Sequence, residues 1–262
     1  MDDYALYGHS LFETLIARDG RYRDLDRHFQ RLGTAAAQVL LQPPDRAAFA
    51  RALREAVPAE GAWVVRFTLL QQGGRWAANP AFKTKSHVWV KPYAGDSRPS
   101  LALHLSEHRF PCNDPWRQLK SGARLGYQIV GRLAKQAGYD DGLIVDQKGF
   151  ILEAGTANLC FLRADGSWIT PPLASGLLPG TVRQRLLEQS KVAEAAIKLE
   201  ELPRFRAVVT TNAVSGPKPV RAVMTQRFNT EAAANWIAGL PEPETTTLDQ
   251  FEAGTHNPAH TD

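Results

Sequence analysis

The sequence predicts an α+β protein of two domains, in which a small α/β domain precedes a larger mixed α/β domain that contains a β-meander. Segments with the twofold alternation of strands and segments with the 3.6-residue period of helices follow one another along the 262 residues. Residues 94–100, AGDSRPS, have the Gly, Pro and Ser content of a linker. We therefore place the small domain at residues 1–93, a linker and entering strand at 94–114, and the large domain at 115–240.

The first domain is predicted to contain four strands and two helices. LFETLIAR alternates as a strand, Asp19-Gly20 suits a hairpin turn, and RYRDL can form the returning strand. A helix begins near Asp26 and ends before Pro43. A second helix at residues 45–57 repeats an apolar residue every fourth position. The runs WVVRFTLLQQ and HVWVKPY then read as strands.

The second domain is predicted to combine a meander with three helices. The strand LALHLSEHRF leads to a helix at residues 125–138, whose last residue, Gly138, can adopt the left-handed cap. DGLIVD, one long strand FILEAGTANLCFLRA and WITPP form the meander. TVRQRLLEQSKVAEAA is helical, and AAANWIAGL is expected to be the last helix. The polar, proline-bearing residues 241–262 are predicted to be a disordered tail.

Composition excludes several classes of protein. Hydrophobic residues make up 44% and charged residues 22% of the chain, which is typical of globular proteins. The net charge of +4 is dispersed, so we expect no nucleic-acid partner. We also expect a cytoplasmic protein without membrane contact, because no apolar run approaches the roughly 20 residues of a membrane helix and no secretory signal is evident.

No metal site is predicted. Cys112 and Cys160 do not form a C-x-x-C pair. His104 and His108 are four residues apart on a predicted strand, where that spacing covers about 13 Å. Two imidazoles at that distance cannot bind one ion.

One segment has the features of an anion site. In LLPGTVRQRLLE, Pro179-Gly180 suits a tight turn and Thr181 can cap the helix that follows. The free N–H groups of Thr181 and Val182, at the positive end of the helix dipole, could hold a phosphate or a carboxylate. Most helix starts bind only water, so this feature alone leaves the ligand open.

Five segments together resemble the fold-type IV pyridoxal-phosphate enzymes, also described as the class IV aminotransferase superfamily. They are GHSLFETL at 8–15, HFQRL at 28–32, LKS at 119–121, GFILEAGTANLCF at 149–161 and LLPGTVR at 177–183. These motifs occur in the order and spacing of that family. The resemblance implies a two-domain fold-type IV architecture, pyridoxal 5′-phosphate as cofactor and an enzyme that acts on a small amino compound.

The resemblance assigns the central roles to three residues. Lys120 matches the lysine that binds the cofactor aldehyde and later transfers the substrate proton, and a primary amine can do both. Glu153 matches the carboxylate that pairs with the pyridine nitrogen, which keeps the ring protonated and electron-accepting. Arg31 matches the phosphate-binding arginine, whose planar fork suits phosphate oxygens.

Further residues are assigned to the same site by resemblance. Thr181 and Val182 match the phosphate cup, which gives the anion site a specific ligand. Thr211 and Asn212 match a second loop that approaches the phosphate. Asn158 matches an asparagine that we expect to brace the site rather than react.

Three small matches favour the aminodeoxychorismate lyases within the family. They are a G-G-R loop ending in Arg75, an Asn-Ala pair leading to P-V, and Arg124-Leu125 after the lysine. The implied reaction converts 4-amino-4-deoxychorismate to 4-aminobenzoate and pyruvate, a step of folate biosynthesis. Arg75 is a candidate to bind a substrate carboxylate, and Thr14 is a second substrate-binding candidate because F-E-T aligns with the strand that borders the cofactor.

Two alternatives stay open. A class IV aminotransferase acting on D-amino or branched-chain amino acids would share every cofactor residue. A non-catalytic cofactor-binding or interaction protein is suggested by the pI of about 9.1. The family resemblance also implies a homodimer, and it implies an opening strand that this sequence lacks, so we expect an open sheet edge in the first domain.

Overall fold

The computed structural model describes residues 3–74 and 83–254. The chain divides into two compact units, each described by itself below. The first unit consists of Met1–Gly95, Leu119–Ala123 and Glu242–Asp262, and the second of Asp96–Gln118 and Arg124–Pro241. The first division therefore falls two residues beyond the predicted end of the small domain at 93. Two segments differ from the prediction, since 119–123 and 242–262 both belong to the first unit.

The first unit contains a five-stranded antiparallel sheet in the order β14-β2-β1-β3-β4, with labels numbered along the whole chain. Its strands are β1 (Ser10–Arg18), β2 (Arg21–Arg23), β3 (Ala62–Gln72), β4 (Lys83–Pro92) and β14 (Thr245–Thr247). Its helices are α1 (Asp3–Tyr7), α2 (Leu25–Gln38), α3 (Arg46–Ala56) and α7 (Leu248–Glu252).

Alternation along β1 separates the two faces of this sheet. Leu11 and Leu15 join the buried core formed with α2 and α3, whereas Phe12 and Thr14 lie on the opposite face. The predicted hairpin is confirmed, because Asp19 and Gly20 adopt positive φ angles of 47° and 73° between β1 and β2. The α2 and α3 segments are likewise helical where the sequence predicted helices.

The predicted disordered tail is wrong for the part of it that the structure describes. Residues Thr245–Thr247 pair with β2 and cover its outer edge. The following helix buries Leu248 and Phe251 in the core of the first unit. Arg46 stacks 4.3 Å from the centroid of the Phe251 ring. Burial of these side chains therefore holds residues 245–252 on the first unit, although the composition of the segment is mostly polar. Residues 255–262 lie outside the described part of the chain.

The second unit is built on a nine-stranded mixed sheet in the order β10-β9-β8-β11-β12-β5-β6-β7, with β13 paired to β12. Its strands are β5 (Leu101–Phe110), β6 (Asp141–Asp146), β7 (Ile151–Ala154), β8 (Asn158–Leu162), β9 (Trp168–Thr170), β10 (Ala193–Glu194), β11 (Ala207–Asn212), β12 (Gly216–Val223) and β13 (Gln226–Arg227). Its α-helices are α4 (Leu125–Gln136), α5 (Thr181–Glu188) and α6 (Thr230–Ala238). The α+β fold class is confirmed, whereas α6 is not the last helix because α7 follows it.

The meander is present, but its predicted long strand is broken into β7 and β8. Asp141 stabilises the turn between them by accepting hydrogen bonds from Thr156 N at 3.0 Å and Thr156 Oγ1 at 2.7 Å. Gly155 packs so closely on Asp141 that a side chain there would overlap the carboxylate. Glu153 and Asn158 lie on either side of this turn, on two short strands that are consecutive in the chain.

Helix α4 begins where predicted, and Gly138 beyond its end has the expected positive φ of 81°. Its buried face carries Tyr127, with Val130 and Ala134. An apolar row lies on the other side of the helix, with exposed fractions of 71%, 42% and 45% for Leu125, Ile129 and Leu133. None of the helices in the described residues has the length and apolar content needed to cross a bilayer.

Candidate active site

Glu153 is the centre of a buried polar cluster in the second unit. It lies on β7 with only 3% of its surface exposed. Its carboxylate accepts hydrogen bonds from Tyr127 Oη at 2.5 Å, from Asn158 Nδ2 at 3.2 Å and from Leu178 N at 3.3 Å to both oxygens. A buried carboxylate with this many donors is held in one orientation.

Asn158 connects Glu153 to the turn that precedes α5. Its Nδ2 atom also donates to Leu178 O at 2.9 Å. Gly180, two residues farther on, packs directly against the Asn158 carboxamide, and a Cβ at this position would approach Oδ1 to less than 3.0 Å. Glycine is required here by the close approach, because its backbone angles of φ −67° and ψ 138° suit any residue. The carboxylate and the turn are therefore parts of one hydrogen-bonded assembly.

The helix whose start was predicted to bind an anion begins one residue earlier than expected. Gly180 is the N-cap of α5 and Thr181 is its first helical residue, so the prediction that Thr181 caps the helix is wrong. The side chain of Thr181 therefore does not cap the helix. Its hydroxyl is buried and has no hydrogen-bond partner among the described residues. The first N–H groups of a helix also lack intrahelical acceptors, so Thr181 and Val182 present donors at this end.

Thr211, at the end of β11, has a second buried hydroxyl without a partner in the described part of the chain. Orphaned hydroxyls are uncommon in protein interiors because each carries a desolvation cost of about 1–3 kcal/mol. Both such threonines are residues that the sequence assigned to the phosphate site. Their donors, with the helix N-terminus, fit the phosphate of pyridoxal phosphate.

Asn212 is arranged differently from its neighbour. Its Oδ1 atom accepts hydrogen bonds from Val214 N at 3.0 Å and Ser215 N at 2.7 Å. This side chain therefore shapes the turn between β11 and β12. Any contact of Asn212 with a phosphate would have to use its backbone or its Nδ2 atom.

Burial governs the electrostatics of Glu153. Removal of the carboxylate from water raises its pKa above the ordinary value, and the positive charges of Arg124 and Arg117 together with the hydrogen bonds from Tyr127 and Leu178 oppose that rise. The pKa of Tyr127 is raised as well, because the phenol is buried and lies next to the Glu153 carboxylate. Tyr127 therefore keeps its proton and donates it in the hydrogen bond.

Lys120 belongs to a segment that joins the sheet of the first unit. Lys120 O accepts a hydrogen bond from Phe12 N at 2.8 Å, and Ser121 forms a β-bridge with Leu11. The Lys120 Nζ atom lies 4.7 Å from the centroid of the Phe12 ring. The backbone around the lysine is thus fixed by strand-like pairing, while its amine lies over the sheet face that carries Phe12.

Arg31 is held in the first unit by a buried carboxylate that the sequence analysis did not single out. Arg31 Nε donates to Glu13 Oε1 at 2.8 Å and Arg31 Nη2 to Glu13 Oε2 at 2.5 Å, while His28 Nδ1 lies 2.6 Å from Oε2. Burial alone would raise the pKa of Glu13, but Arg31 and His28 lower it to about 2. The signal available in the sequence was that Glu13 occupies a core-facing position of β1 between Leu11 and Leu15.

Arg66 is a second cation near Phe12 that sequence reasoning missed. Its Cζ atom lies 3.6 Å from the centroid of the Phe12 ring, and no carboxylate among the described residues pairs with it. Partial burial lowers the pKa of Arg66 below its usual value. Arg66 stands directly opposite Thr14 and Trp89 in the sheet register, so all three share one face. The alternation of WVVRFTLLQQ was the signal that could have placed Arg66 on that face.

The predicted residues fall into two sets according to the unit that contains them. Thr14, Arg31 and Lys120 are in the first unit. Those in the second unit are Glu153, Asn158, Thr181, Val182, Thr211 and Asn212. Arg75 lies outside the described residues. In the described part of the chain, no group of three or more His, Cys, Asp or Glu side chains could hold a metal ion.

Comparisons with known proteins agree with this geometry. The family described as amino-transferase class IV matches residues 10–223. The chain is 27% identical to branched-chain-amino-acid aminotransferase 6 of Arabidopsis thaliana over 247 residues, which cover 83% of this chain and 68% of the relative. It is 28% identical to the bifunctional aminodeoxychorismate lyase / D-amino acid transaminase of Mycobacterium tuberculosis over 208 residues, covering 71% and 70%.

A solved structure has the same fold. The pyridoxal-phosphate-bound form of a hypothetical aminotransferase from Mycobacterium tuberculosis superposes with a TM-score of 0.77 at 22% identity, covering 90% of each chain. The family match spans most of this chain, and the buried carboxylate and orphaned hydroxyls suit the same cofactor. The chain therefore belongs to the class IV aminotransferases, the fold-type IV enzymes that depend on pyridoxal 5′-phosphate.

Proposed function

We propose that this enzyme is an aminodeoxychorismate lyase, which converts 4-amino-4-deoxychorismate to 4-aminobenzoate and pyruvate. The observation that carries this choice of substrate is a basic sheet face beside Lys120, on which the described strand positions of β1, β3 and β4 carry no acidic residue. On this face the register aligns Arg66 with Trp89, and the alternating exposed positions of β4 add Lys85, His87 and Lys91. A substrate with two carboxylates needs more than one cationic contact.

The residues of the second unit fit the cofactor at both of its ends. Thr181, Val182 and Thr211 would bind the phosphate through two hydroxyls and the N-terminal N–H groups of α5. Glu153 would accept a hydrogen bond from the ring nitrogen. When bound, pyridoxal phosphate supplies an aldehyde for amine groups and a ring that accepts an electron pair.

Arg31 would bind the phosphate with a guanidinium group that is already held in one orientation. Its pairing with Glu13, which also contacts His28, limits the rotamers available to the guanidinium, so little conformational entropy is lost on binding. Asn158 would act only on Glu153 and the turn, which is the bracing role expected from the sequence.

Lys120 would hold the cofactor covalently and serve as the base in the reaction. In its neutral form, the Nζ atom takes the proton from the substrate carbon that bears the amino group. Arg66 would hold a substrate carboxylate, and Thr14 lies beside it on the same face. Loss of that proton together with cleavage of the carbon–oxygen bond releases the enolpyruvyl group as an enolate, which takes up a proton to become pyruvate, and the ring that remains becomes aromatic.

The covalent role of Lys120 has a direct test. Purified protein with pyridoxal phosphate should absorb visible light, and borohydride should then fix the cofactor on the peptide that contains Lys120. Lys120→Ala should lose both signals, whereas Lys135→Ala, which alters an exposed lysine of α4, should keep them. Labelling of a different lysine would exclude the assignment.

Product analysis tests the substrate. The enzyme should release 4-aminobenzoate and pyruvate from 4-amino-4-deoxychorismate. Arg66→Gln should raise KM by about tenfold or more, because one charge-assisted contact contributes about 1.5–3 kcal/mol. Arg51→Gln, which changes an exposed arginine on α3, is the matched control and should leave KM unchanged. If enzyme saturated with cofactor forms no product from this substrate, the proposed lyase activity is contradicted.

Transamination is the second candidate. It is favoured by relatives named as branched-chain or D-amino-acid transaminases, and it would use the same cofactor residues. In this reaction Lys120 would return the proton to the cofactor, and a keto acid would leave. Incubation with D-alanine or leucine and 2-oxoglutarate distinguishes the two reactions, while retained cofactor without product from any amine would favour a binding protein.

We also propose that the enzyme is a cytoplasmic homodimer. The row formed by Leu125, Ile129 and Leu133 on α4 is an exposed apolar face, which a second copy of the chain could cover. Ile129→Glu should shift the sedimentation coefficient to that of the monomer. Leu40→Glu, at an exposed leucine of the first unit, is the control. An Ile129→Glu variant that sediments like the unchanged protein would exclude this face.

A further inference from the structure

The buried hydrogen bond between Tyr127 and Glu153 is not explained by any motif of the sequence. Both side chains are buried, and the 2.5 Å separation of Oη and Oε1 is the shortest contact that Glu153 makes. The other donors to this carboxylate, Asn158 and Leu178, are 3.2 Å and 3.3 Å away. The phenol is therefore the strongest hydrogen-bond donor to Glu153 in this unit.

Packing fixes the phenol in this position. Tyr127 lies on the buried face of α4, and its ring stacks edge-to-face on Phe110 with centroids 5.4 Å apart. The guanidinium of Arg124 covers the ring at 3.7 Å from its centroid. With the ring held by Phe110 and Arg124, the hydroxyl has little freedom to leave Glu153.

We propose that Tyr127 is a positioning residue that keeps the Glu153 carboxylate ionised, so that the proton shared with the cofactor stays on the ring nitrogen. This inference rests on the proposed pairing of Glu153 with that nitrogen. A hydrogen bond from the phenol stabilises the anionic carboxylate more than the neutral acid. Without it, burial favours the neutral acid, and the shared proton moves from the nitrogen to Glu153.

The cations near Glu153 would be unchanged in a Tyr127→Phe variant, so that the variant tests the phenol hydroxyl alone. Arg124 and Arg117 are the cations that act on the carboxylate within this unit. Arg117 is engaged with the carbonyl groups of Pro111, Ser175 and Gly176, at 2.6 Å, 3.0 Å and 2.7 Å. Since a change of Tyr127 to Phe leaves both guanidinium groups in the chain, any shift of the proton reports the lost hydroxyl.

The test uses Tyr127→Phe in the full-length holoenzyme, loaded with pyridoxal phosphate carrying 15N at the ring. The 15N resonance should move from the position of a protonated ring towards that of a neutral pyridine. In the cofactor-free protein, the infrared band of the protonated Glu153 carboxyl should titrate about one pH unit higher. Turnover should fall about tenfold in kcat, with KM within about twofold.

Two further variants control the test. Tyr139→Phe removes a phenol that packs on His104 instead of Glu153 and should leave all three readouts unchanged. Replacement of Tyr127 by 3-fluorotyrosine leaves a hydroxyl donor that is more acidic, so the ring nitrogen of the cofactor should stay protonated. This variant replaces Tyr127→Phe in the test if the phenylalanine variant does not fold. A 15N resonance and a carboxyl midpoint unmoved by Tyr127→Phe would overturn the inference.

Glu153→Gln separates this inference from the proposed function. If Glu153→Gln moves the 15N resonance while Tyr127→Phe does not, only the role of Tyr127 fails. If Glu153→Gln leaves the resonance in place, the pairing of Glu153 with the ring nitrogen fails as well.

Discussion

Replacing Gly180 with alanine would insert a methyl group between the turn and Asn158. The backbone angles at Gly180 suit alanine, so the smaller freedom of the unfolded chain would by itself stabilise the protein by about 0.4–1 kcal/mol. The added Cβ would nevertheless come within 3.0 Å of Asn158 Oδ1, a distance that forces the carboxamide to move. That movement breaks the hydrogen bonds from Asn158 to Leu178 O and to Glu153 Oε2.

The size of the effect follows from these two bonds. A buried polar group that loses its partner costs about 1–3 kcal/mol, so two such losses outweigh the entropic gain. We expect Gly180→Ala to lower the free energy of unfolding by about 2–4 kcal/mol. Because Asn158 would no longer join Glu153 to the turn before α5, the affinity for pyridoxal phosphate should also fall by about tenfold or more.

The assay is urea unfolding of the cofactor-free protein, together with a fluorescence titration of the cofactor. Gly131→Ala is the matched control, since this helical glycine of α4 has no atom within 4 Å of an added Cβ and should gain about 1 kcal/mol. In the Asn158→Ala background, the obstructing oxygen is gone and Gly180→Ala should become nearly neutral. The reasoning is refuted if Gly180→Ala is as stable as the control variant in both backgrounds.

Four further substitutions test other parts of the structure. Glu13→Gln should lower the free energy of unfolding by about 3 kcal/mol at pH 7, because the depressed pKa of Glu13 stabilises the fold above pH 4.5. That difference should shrink as the pH falls towards 2, and an unfolding difference independent of pH would contradict the ion pair. Thr181→Val and Thr211→Val should each weaken cofactor binding about tenfold without destabilising the cofactor-free protein, as binding and unfolding titrations will reveal, because each removes an unpartnered hydroxyl. Phe251→Ala should cost about 3–5 kcal/mol in urea unfolding, and a neutral result would show that α7 is not part of the core.

Local patterns predicted most elements of the fold, because their signals lie within a few neighbouring residues. The hairpin at Asp19-Gly20 and the helix end at Gly138 depend on residues that tolerate positive φ. Periodicity identified α2 and α3 in the same way. The break between β7 and β8 could not be read locally, because Asp141, which holds the turn, is 15 residues away from Thr156 in the sequence.

The candidate site shows the same limit. Motif order identified Lys120, Glu153 and the turn before α5, since these residues carry the family pattern. The partners of those residues were not visible, because they come from other elements. Glu13 is 18 residues from Arg31, and Tyr127 is 26 residues from Glu153. The prediction of a disordered tail was wrong for a related reason, since Phe251 is buried against α2 and α3, which are distant from it in the sequence.

By itself the amino-acid order predicted most of the secondary structure, the family and a set of candidate site residues, because each of these is written in short patterns. Only the tertiary structure decided the environment of those residues. It showed which carboxylate holds Arg31, which phenol donates to Glu153, and which buried hydroxyls have no partner within residues 3–74 and 83–254. Burial and hydrogen bonding set protonation and affinity, and both depend on side chains that only the folded chain brings together.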